Sequence, residues 1–190
     1  GNDLVVSAWD ILGGDAKPGT NVLVYDDAGD HAALQAADLI AATGARVEIV
    51  TPDRAFSPEV MAMNLVPYMR SLQARDTTFT VTWRLRSVTR DGNRLRATLG
   101  SDYGGVTRDR IVDQVVVNHG TRPLDELYFD LKPQSSNGGE VDYEALTTGG
   151  VQDVRKNPDG RFRLFRIGDA VAARNTHAAI YDALRLVKDI

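Results

Sequence analysis

Hydrophobic and polar positions alternate along this chain with two different periods, and the changes of period mark the elements. Asn21-Val22-Leu23-Val24-Tyr25 is a continuous, β-branched run, the pattern of a strand buried on both faces of a parallel sheet. From His31 to Thr43 the apolar positions Leu34, Ala37, Ile40 and Ala41 recur at helical spacing, and Gly44 supplies a stop just beyond. Arg46-Val47-Glu48-Ile49-Val50 reads as a second strand. Strand, helix and strand within ~30 residues predict a right-handed βαβ unit.

Residues 57–74 predict a second helix, with Ser57 as N-cap and Pro58 in the first helical position, and with Pro67 expected to end or kink it. Three strands are then expected over Thr78–Val88, Arg94–Leu99 and Ile111–Asn118. Asp91-Gly92 joins the first two, a strong hairpin signal, and Asp102-Tyr103-Gly104-Gly105 joins the next pair. Residues 121–160 are rich in turns, including Pro133 to Gly139. Arg161 to Ile167 alternates apolar and basic residues and predicts a strand. Asn175 to Ile190 predicts a closing helix with Ala179, Ala183, Leu184 and Val187 on one side. Residues 1–20 form a leading segment, in which Val5 to Leu12 predicts a short helix before turns at Gly13-Gly14-Asp15 and Lys17-Pro18-Gly19. There is no internal repeat. The expected fold is α/β and Rossmann-like, a parallel sheet with flanking helices and a three-stranded antiparallel meander.

A dinucleotide fold places a glycine-rich turn after its first strand, so that bare backbone and a helix N-terminus meet the pyrophosphate. Counting back from Gly44 puts Ala33 at the third-glycine position, with Ala28 and Asp30 at the first two; the only glycine in the turn is Gly29. The loop is about two residues longer than the usual one. Asp26, Asp27 and Asp30 would place carboxylates where a diphosphate sits, each repulsive by a few kcal/mol at ~4–6 Å and an effective dielectric near 20. The helix N-terminus instead finds negative partners in its own turn. The turn is that of a dinucleotide scaffold without its ligand.

Composition narrows the picture further. The chain has 190 residues and a net charge of −4, enough for one domain or one plus a tail. It shows no basic patch, which argues against nucleic acid and anionic membrane surfaces. It contains no cysteine, so this stretch can supply no disulfide, thiolate nucleophile or iron–sulfur ligand. There is no apolar run near ~18 residues and no signal-peptide pattern, and a cytoplasmic location is expected. The first residue is Gly1 rather than methionine, as in a tag remnant or a piece cut from something longer.

Four ordered motifs carry a resemblance. Tyr25-Asp26-Asp27-Ala28-Gly29, His119-Gly120-Thr121-Arg122-Pro123 with Glu126-Leu127, Arg166-Ile167-Gly168-Asp169-Ala170-Val171-Ala172-Ala173-Arg174-Asn175, and His177 to Ala183 together resemble the C-terminal region of the NADH:flavin oxidoreductase family. The nearest branch is that of trimethylamine dehydrogenase and the dimethylglycine or N-methylproline demethylases; the 2,4-dienoyl-CoA reductases are more distant. The resemblance covers nearly the whole chain. It implies a parent polypeptide with an N-terminal TIM barrel carrying FMN and a 4Fe-4S cluster, followed by a FAD-like fold interrupted by an NAD-like one. Residues 21–120 match the NAD(P)-binding-like insert and residues 121–190 the return into the FAD-like fold. The barrel and the other FAD-like half, which would hold ADP or FAD jointly with this stretch, lie outside it. In the trimethylamine dehydrogenase branch electrons leave through an electron-transfer flavoprotein, whereas the dienoyl-CoA reductases use NADPH; the acidic turn agrees with the former. The implied role is structural or in an ADP/FAD site, inactive alone. The alternatives are a working NAD(P)H domain of a dienoyl-CoA reductase-like enzyme, or a stand-alone nucleotide-binding or interaction module.

The resemblance assigns cofactor-binding positions to Gly168, Asp169 and Ala170, with Gly29 and His177 as weaker candidates. Asp169 matches the family aspartate that accepts hydrogen bonds from a flavin's ribityl or lies by an ADP pyrophosphate; its plainer role is to cap the helix that follows. Gly168 would allow close backbone approach or merely the turn. His31, His119 and His177 are too dispersed for a metal triad, and packing or helix-start roles suit them. Asp53 falls near the place of a ribose-binding acid. Arg122 and Arg174 are either phosphate partners or surface ion pairs. Trp9, Trp83 and Tyr181 are expected as core or interface anchors. Ser135 and Ser136 have no base in sequence reach, and no catalytic residue is assigned.

Overall fold

A computed structural model describes residues 1–187. The chain divides into two compact units, Gly1–Gly120 and Thr121–Ile190. In the first, the order is β1 (Val6–Ser7), α1 (Ala8–Gly13), β2 (Asn21–Asp26), α2 (His31–Ala42), β3 (Arg46–Val50), α3 (Ala62–Gln73), β4 (Thr77–Thr80), β5 (Arg84–Asp91), β6 (Arg94–Gly100), β7 (Thr107–Val112) and β8 (Gln114–Asn118). The second holds α4 (Glu126–Leu131), α5 (Tyr143–Thr148) and α6 (Thr176–Val187), with short 3-10 turns.

Five strands form one parallel sheet in the order β1-β8-β2-β3-β4, and β5-β6-β7 form an antiparallel meander. The expected fold class is the one observed. Alternation along β2 explains the layering. Val22 and Val24 pack with Leu34, Ala37 and Ile40 of α2, with Ile11 of α1 and with Leu72 of α3. Leu23 and Tyr25 point the other way, into a second core with Val88, Ala97, Leu99 and Val112 of the meander. With both faces covered, a strand of this kind must be apolar throughout, as β2 is.

In the first unit the structure departs from the sequence pattern at four places. Val5 to Leu12 is not one helix: Val6–Ser7 pairs with β8 in the sheet, and the helix begins at Ala8, capped by a reciprocal Ser7–Asp10 box. Thr78–Val88 divides into β4 and β5, which lie in different sheets. The break falls at Val81-Thr82-Trp83, where Thr82 takes φ +64° and its N–H donates to Asp53 C=O. Ile111–Asn118 divides at Asp113, whose N–H donates to Asn21 C=O while its carboxylate accepts from Thr20 Oγ1 at 2.6 Å. Apolar pattern alone cannot register such a change of layer, because both segments remain half buried. Residues 57–61 are not helical. Ser57 adopts φ +45° and α3 starts only at Ala62. Pro67 neither ends that helix nor interrupts it; the carbonyl it leaves unpaired belongs to Met63, on the solvent side, where water can serve it. The closing helix begins at Thr176, and the last three residues of its expected span lie outside the described residues.

In the second unit Arg161–Ile167 forms no strand. Its backbone bonds instead to a turn: Phe162 C=O accepts from Ser136 N–H at 2.8 Å, Leu164 N–H donates to Asn137 Oδ1 at 2.8 Å, and Leu164 C=O accepts from Asn137 Nδ2 at 2.8 Å. A strand needs a neighbouring strand, and this unit provides none among the described residues.

Candidate functional site

The carboxyl end of the parallel sheet is where an α/β fold binds ligands, at the point where strand order reverses. Here that point lies between β2 and β8, because the chain runs outward through β3 and β4 and returns on the other side of β2. Asp26 ends β2 and Asn118 ends β8, and the two are register partners. Asp26 is only 1% exposed. Its Oδ1 accepts from Gly29 N–H at 2.9 Å and from Asn118 Nδ2 at 3.1 Å, and its Oδ2 accepts from Ser57 Oγ at 3.4 Å. Asn118 Nδ2 also donates to Asp30 Oδ1 at 2.9 Å. Asp30 is the N-cap of α2, its Oδ1 accepting from Ala32 N–H at 2.9 Å. The N–H groups that would hold a pyrophosphate are therefore already given to carboxylates of the same turn.

The turn is also covered. Glu59 N–H donates to Gly29 C=O at 3.0 Å, and Pro58 packs so closely that a methyl group at Gly29 would lie 2.7 Å from its Cδ. Gly29 itself is at φ +72°, so only glycine suits both the conformation and the space. Next to it, Asp27 pairs with Arg84 at 3.4 Å and lies 3.6 Å from His119 Nδ1, and the His119 ring meets the edge of Tyr25. Burial pushes the Tyr25 phenol up to about 12, with Asp27 adding to the effect. His31 lies 3.4 Å from Tyr68 Oη. Asp53 is exposed and stands in a turn whose N–H donates to Thr51 Oγ1.

Burial pushes the Asp26 carboxyl above its ordinary range, and nearby Asp30 pushes the same way; the hydrogen bonds from Gly29 and Asn118 oppose this only in part. The unfolded chain, at about 3.9, then loses this proton at lower pH than the folded chain. The stability this group contributes is complete below about pH 4 and is lost as pH rises through the folded value. Asp26→Asn keeps an acceptor for Gly29 and Asn118 and cannot ionise. It is expected to melt about 2–4 °C above the wild type at pH 7.5, and the difference should shrink to nothing near pH 4 in a pH series of thermal melts.

In the second unit, Gly168–Ala170 forms a 3-10 turn with Gly168 at φ +56°. Gly168 N–H donates to Asp182 Oδ2 at 3.1 Å, and a methyl group at Gly168 would lie 3.1 Å from Ala179 Cβ. Asp182 also pairs with Arg174, and that pairing, helped by Gly168 N–H, holds its carboxyl below the ordinary range. Asp169 is exposed and makes no side-chain hydrogen bond among the described residues. It does not cap α6: Asn175 Oδ1 accepts from Ala178 N–H at 2.9 Å. His177 is the second residue of α6 and is exposed. Gly168, Asp169 and Ala170 thus share one turn packed against α6, the helix that carries His177, whereas Gly29 belongs to the other unit. Trp9 and Tyr181 are exposed rather than core residues. Trp83 packs on the meander core, with Arg108 4.7 Å above its ring. Arg174 is the Asp182 partner, and Arg122 is exposed.

Sequence reasoning missed Asn118 and Ser57. Their roles depend on the pairing of β2 with β8, which brings Asn118 to Asp26 across 92 positions. The available signal was a polar residue closing the Val115-Val116-Val117 run, a place where an unpaired amide would be costly. Among the described residues no group of three or more potential metal ligands occurs, and no helix is long and apolar enough to cross a membrane.

No protein-family model matches the chain. A probable N-methylproline demethylase of Rhizobium meliloti is 71% identical over 190 residues, covering 100% of this chain and 28% of the relative. An N,N-dimethylglycine/sarcosine dehydrogenase of Chromohalobacter salexigens is 46% identical, covering 98% of this chain and 27% of the relative. Among solved structures, a 2-naphthoyl-CoA reductase superposes with a TM-score of 0.67 at 20% identity over 100% of this chain and 24% of its own, a likeness of fold. The chain spans only 28% and 27% of the lengths of the two relatives. Over its length the chain is a close homologue of the C-terminal part of these longer proteins.

Proposed function

We propose that this chain is the dinucleotide-fold scaffold of a flavin-dependent enzyme that oxidises an N-methylated amine or amino acid, and that it takes no NAD(P)H. The observation that carries this reading is the turn after β2, whose N–H donors are bonded to Asp26 and Asp30 and whose glycine is covered by Pro58. A pyrophosphate would have to displace two carboxylates and enter beside them, against the repulsion of like charges. The names of the relatives supply the substrate class.

In this reading residues 21–120 are the NAD(P)-binding-like insert, with residues 1–20 leading into it, and residues 121–190 complete a FAD-like fold. The barrel with FMN and a 4Fe-4S cluster belongs to another part of the polypeptide; this chain has no cysteine to hold the cluster. The turn at Gly168-Asp169-Ala170 fits a nucleotide of the ADP or FAD type: Asp169 is exposed and uncommitted, and a carboxylate there accepts from ribose or ribityl hydroxyls. His177, on the helix packed behind that turn, is the secondary candidate. A bound flavin would supply hydride acceptance; the chain's own part is to present the Asp169 carboxylate and to hold Gly168 against Asp182. Electrons would pass onward to a separate electron-transfer flavoprotein.

The isolated chain, given FMN, an artificial electron acceptor and N-methylproline, dimethylglycine or sarcosine, is expected to show no amine-dependent acceptor reduction. Sustained turnover under these conditions would overturn the assignment of a scaffold role.

A further inference from the structure

Asn137 is the only asparagine of the chain that is followed by a glycine. In such a pair the side-chain amide lies open to attack by the next backbone nitrogen, because glycine has no Cβ to obstruct the approach. Gly138 N forms a bond to Asn137 Cγ, the Cγ–Nδ2 bond breaks, and the leaving nitrogen carries the Gly138 proton away as ammonia. Water then opens the five-membered imide at either carbonyl and yields aspartate or isoaspartate. The step needs neither oxidant nor cofactor.

The fold opposes each part of this step. Asn137 is 1% exposed. Its Nδ2 donates to Glu140 C=O at 2.9 Å and to Leu164 C=O at 2.8 Å, and its Oδ1 accepts from Leu164 N–H at 2.8 Å. Turning Cγ onto Gly138 N breaks all three. Gly138 N–H donates to Ser135 C=O at 3.3 Å, which holds the proton that the step must remove. The same contacts exclude a more durable pair. Gly138 sits at φ +60°, and a methyl group there would lie 3.3 Å from Lys156 Cβ, so conformation and space both call for glycine. Leu164 N–H and C=O together need an acceptor and a donor on one short side chain, which asparagine supplies.

We propose that Asn137–Gly138 is a deamidation site gated by the fold. It stays an amide while it anchors Leu164, and each opening of the 161–167 segment exposes it to a conversion that the segment cannot reverse. Either product removes the anchor. Aspartate loses both donors and sets a carboxylate against the Glu140 and Leu164 carbonyls. Isoaspartate in addition routes the main chain through its own Cβ, which lengthens the turn. The released segment runs directly into the Gly168-Asp169-Ala170 turn, so a transient opening becomes a permanent change beside that turn. The step is independent of the scaffold role proposed above.

The test is to incubate the purified chain at neutral pH in buffer, in urea below the unfolding transition and in urea above it. Asn137 is read by peptide mass spectrometry, with isoaspartate separated from aspartate, and Leu164 amide exchange is followed in the same solutions. Conversion in buffer should be at least about tenfold slower than in the unfolded chain. Below the transition it should rise with urea in proportion to Leu164 exchange, because both require the same opening. Conversion in buffer at the unfolded rate, no conversion in the unfolded chain, or a rate that does not follow Leu164 exchange overturns the proposal. The converted chain, separated by ion exchange and returned to buffer, should exchange its Leu164 amide at least about tenfold faster than the unconverted chain, and so should Asn137→Asp. Unchanged protection in either overturns the proposal. Gly138→Ala separates the chemistry from the folding. Above the transition, where neither protein is folded, it should convert more slowly than the wild type whatever it does to the native structure. An equal rate would refute attack by an unobstructed Gly138 nitrogen, and the proposal with it.

Discussion

Asn137→Ala is expected to destabilise the second unit by about 2–4 kcal/mol. The side chain is 1% exposed and serves three backbone groups: Nδ2 donates to Glu140 C=O at 2.9 Å and Leu164 C=O at 2.8 Å, and Oδ1 accepts from Leu164 N–H at 2.8 Å. Alanine leaves all three without a protein partner, and each buried unpaired group costs about 1–3 kcal/mol before water reaches it. The loss should appear in urea titrations as a lower midpoint for the transition of residues 121–190, with faster exchange at Leu164. Asn137→Asp keeps the acceptor for Leu164 N–H but sets a carboxylate against two carbonyls, and should be no better tolerated. A midpoint within error of wild type for Asn137→Ala would mean that the 161–167 segment is anchored by something other than this amide.

Leu34→Ala should cost the first unit about 2–5 kcal/mol. Leu34 lies in α2 and is fully buried among the side chains of α2, β2, β3 and α3. The helix is rich in alanine: Ala32, Ala33, Ala36, Ala37 and Ala41 are all buried. Small residues let α2 approach the sheet closely, which leaves Leu34 and Ile40 as its large buried side chains. Truncating one of them opens a cavity the short neighbours cannot fill, so the upper part of the range applies. A loss under about 1 kcal/mol in chemical unfolding would show that the helix shifts to close the gap.

Much of the first unit was legible from residue pattern because β2, β3 and α2 are each dictated locally. A β-branched run buried on two faces and a helix with a continuous small-residue stripe admit few other readings. The meander was legible through Asp91-Gly92. The crossings at Thr82 and Asp113 were not, since the chain passes between layers without losing hydrophobicity. At Ser57 the N-cap signal was real in composition but lost to tertiary structure: its hydroxyl bonds to buried Asp26, a partner that becomes available only after β2 and the loop following β3 are in place. The Arg161–Ile167 pattern was sound as a strand signal, yet a strand is a relation between two segments, and among the described residues this unit holds only one of them.

The acidic turn was the most informative local feature. The residues Asp26 and Asp30 were visible as charges opposed to a diphosphate. Their actual arrangement, with Asp30 capping α2 and Asn118 bridging both carboxylates, depends on the β2–β8 register and could not be read from spacing. The expectation that the helix N-terminus finds its negative partner within its own turn is met by Asp30. The Gly168-Asp169 turn was identified by resemblance, and the structure adds the Asp182–Arg174 pair that steadies it.

Titration calorimetry of the purified chain with NADH and NADPH tests the central claim most directly. The self-satisfied turn predicts no binding heat with either nucleotide up to about 1 mM, a free energy weaker than about −4 kcal/mol. Saturable binding of NADH or NADPH tighter than about 100 μM would mean that the carboxylates of Asp26 and Asp30 yield to a pyrophosphate, and that the chain serves a reductase which draws its electrons from a nicotinamide.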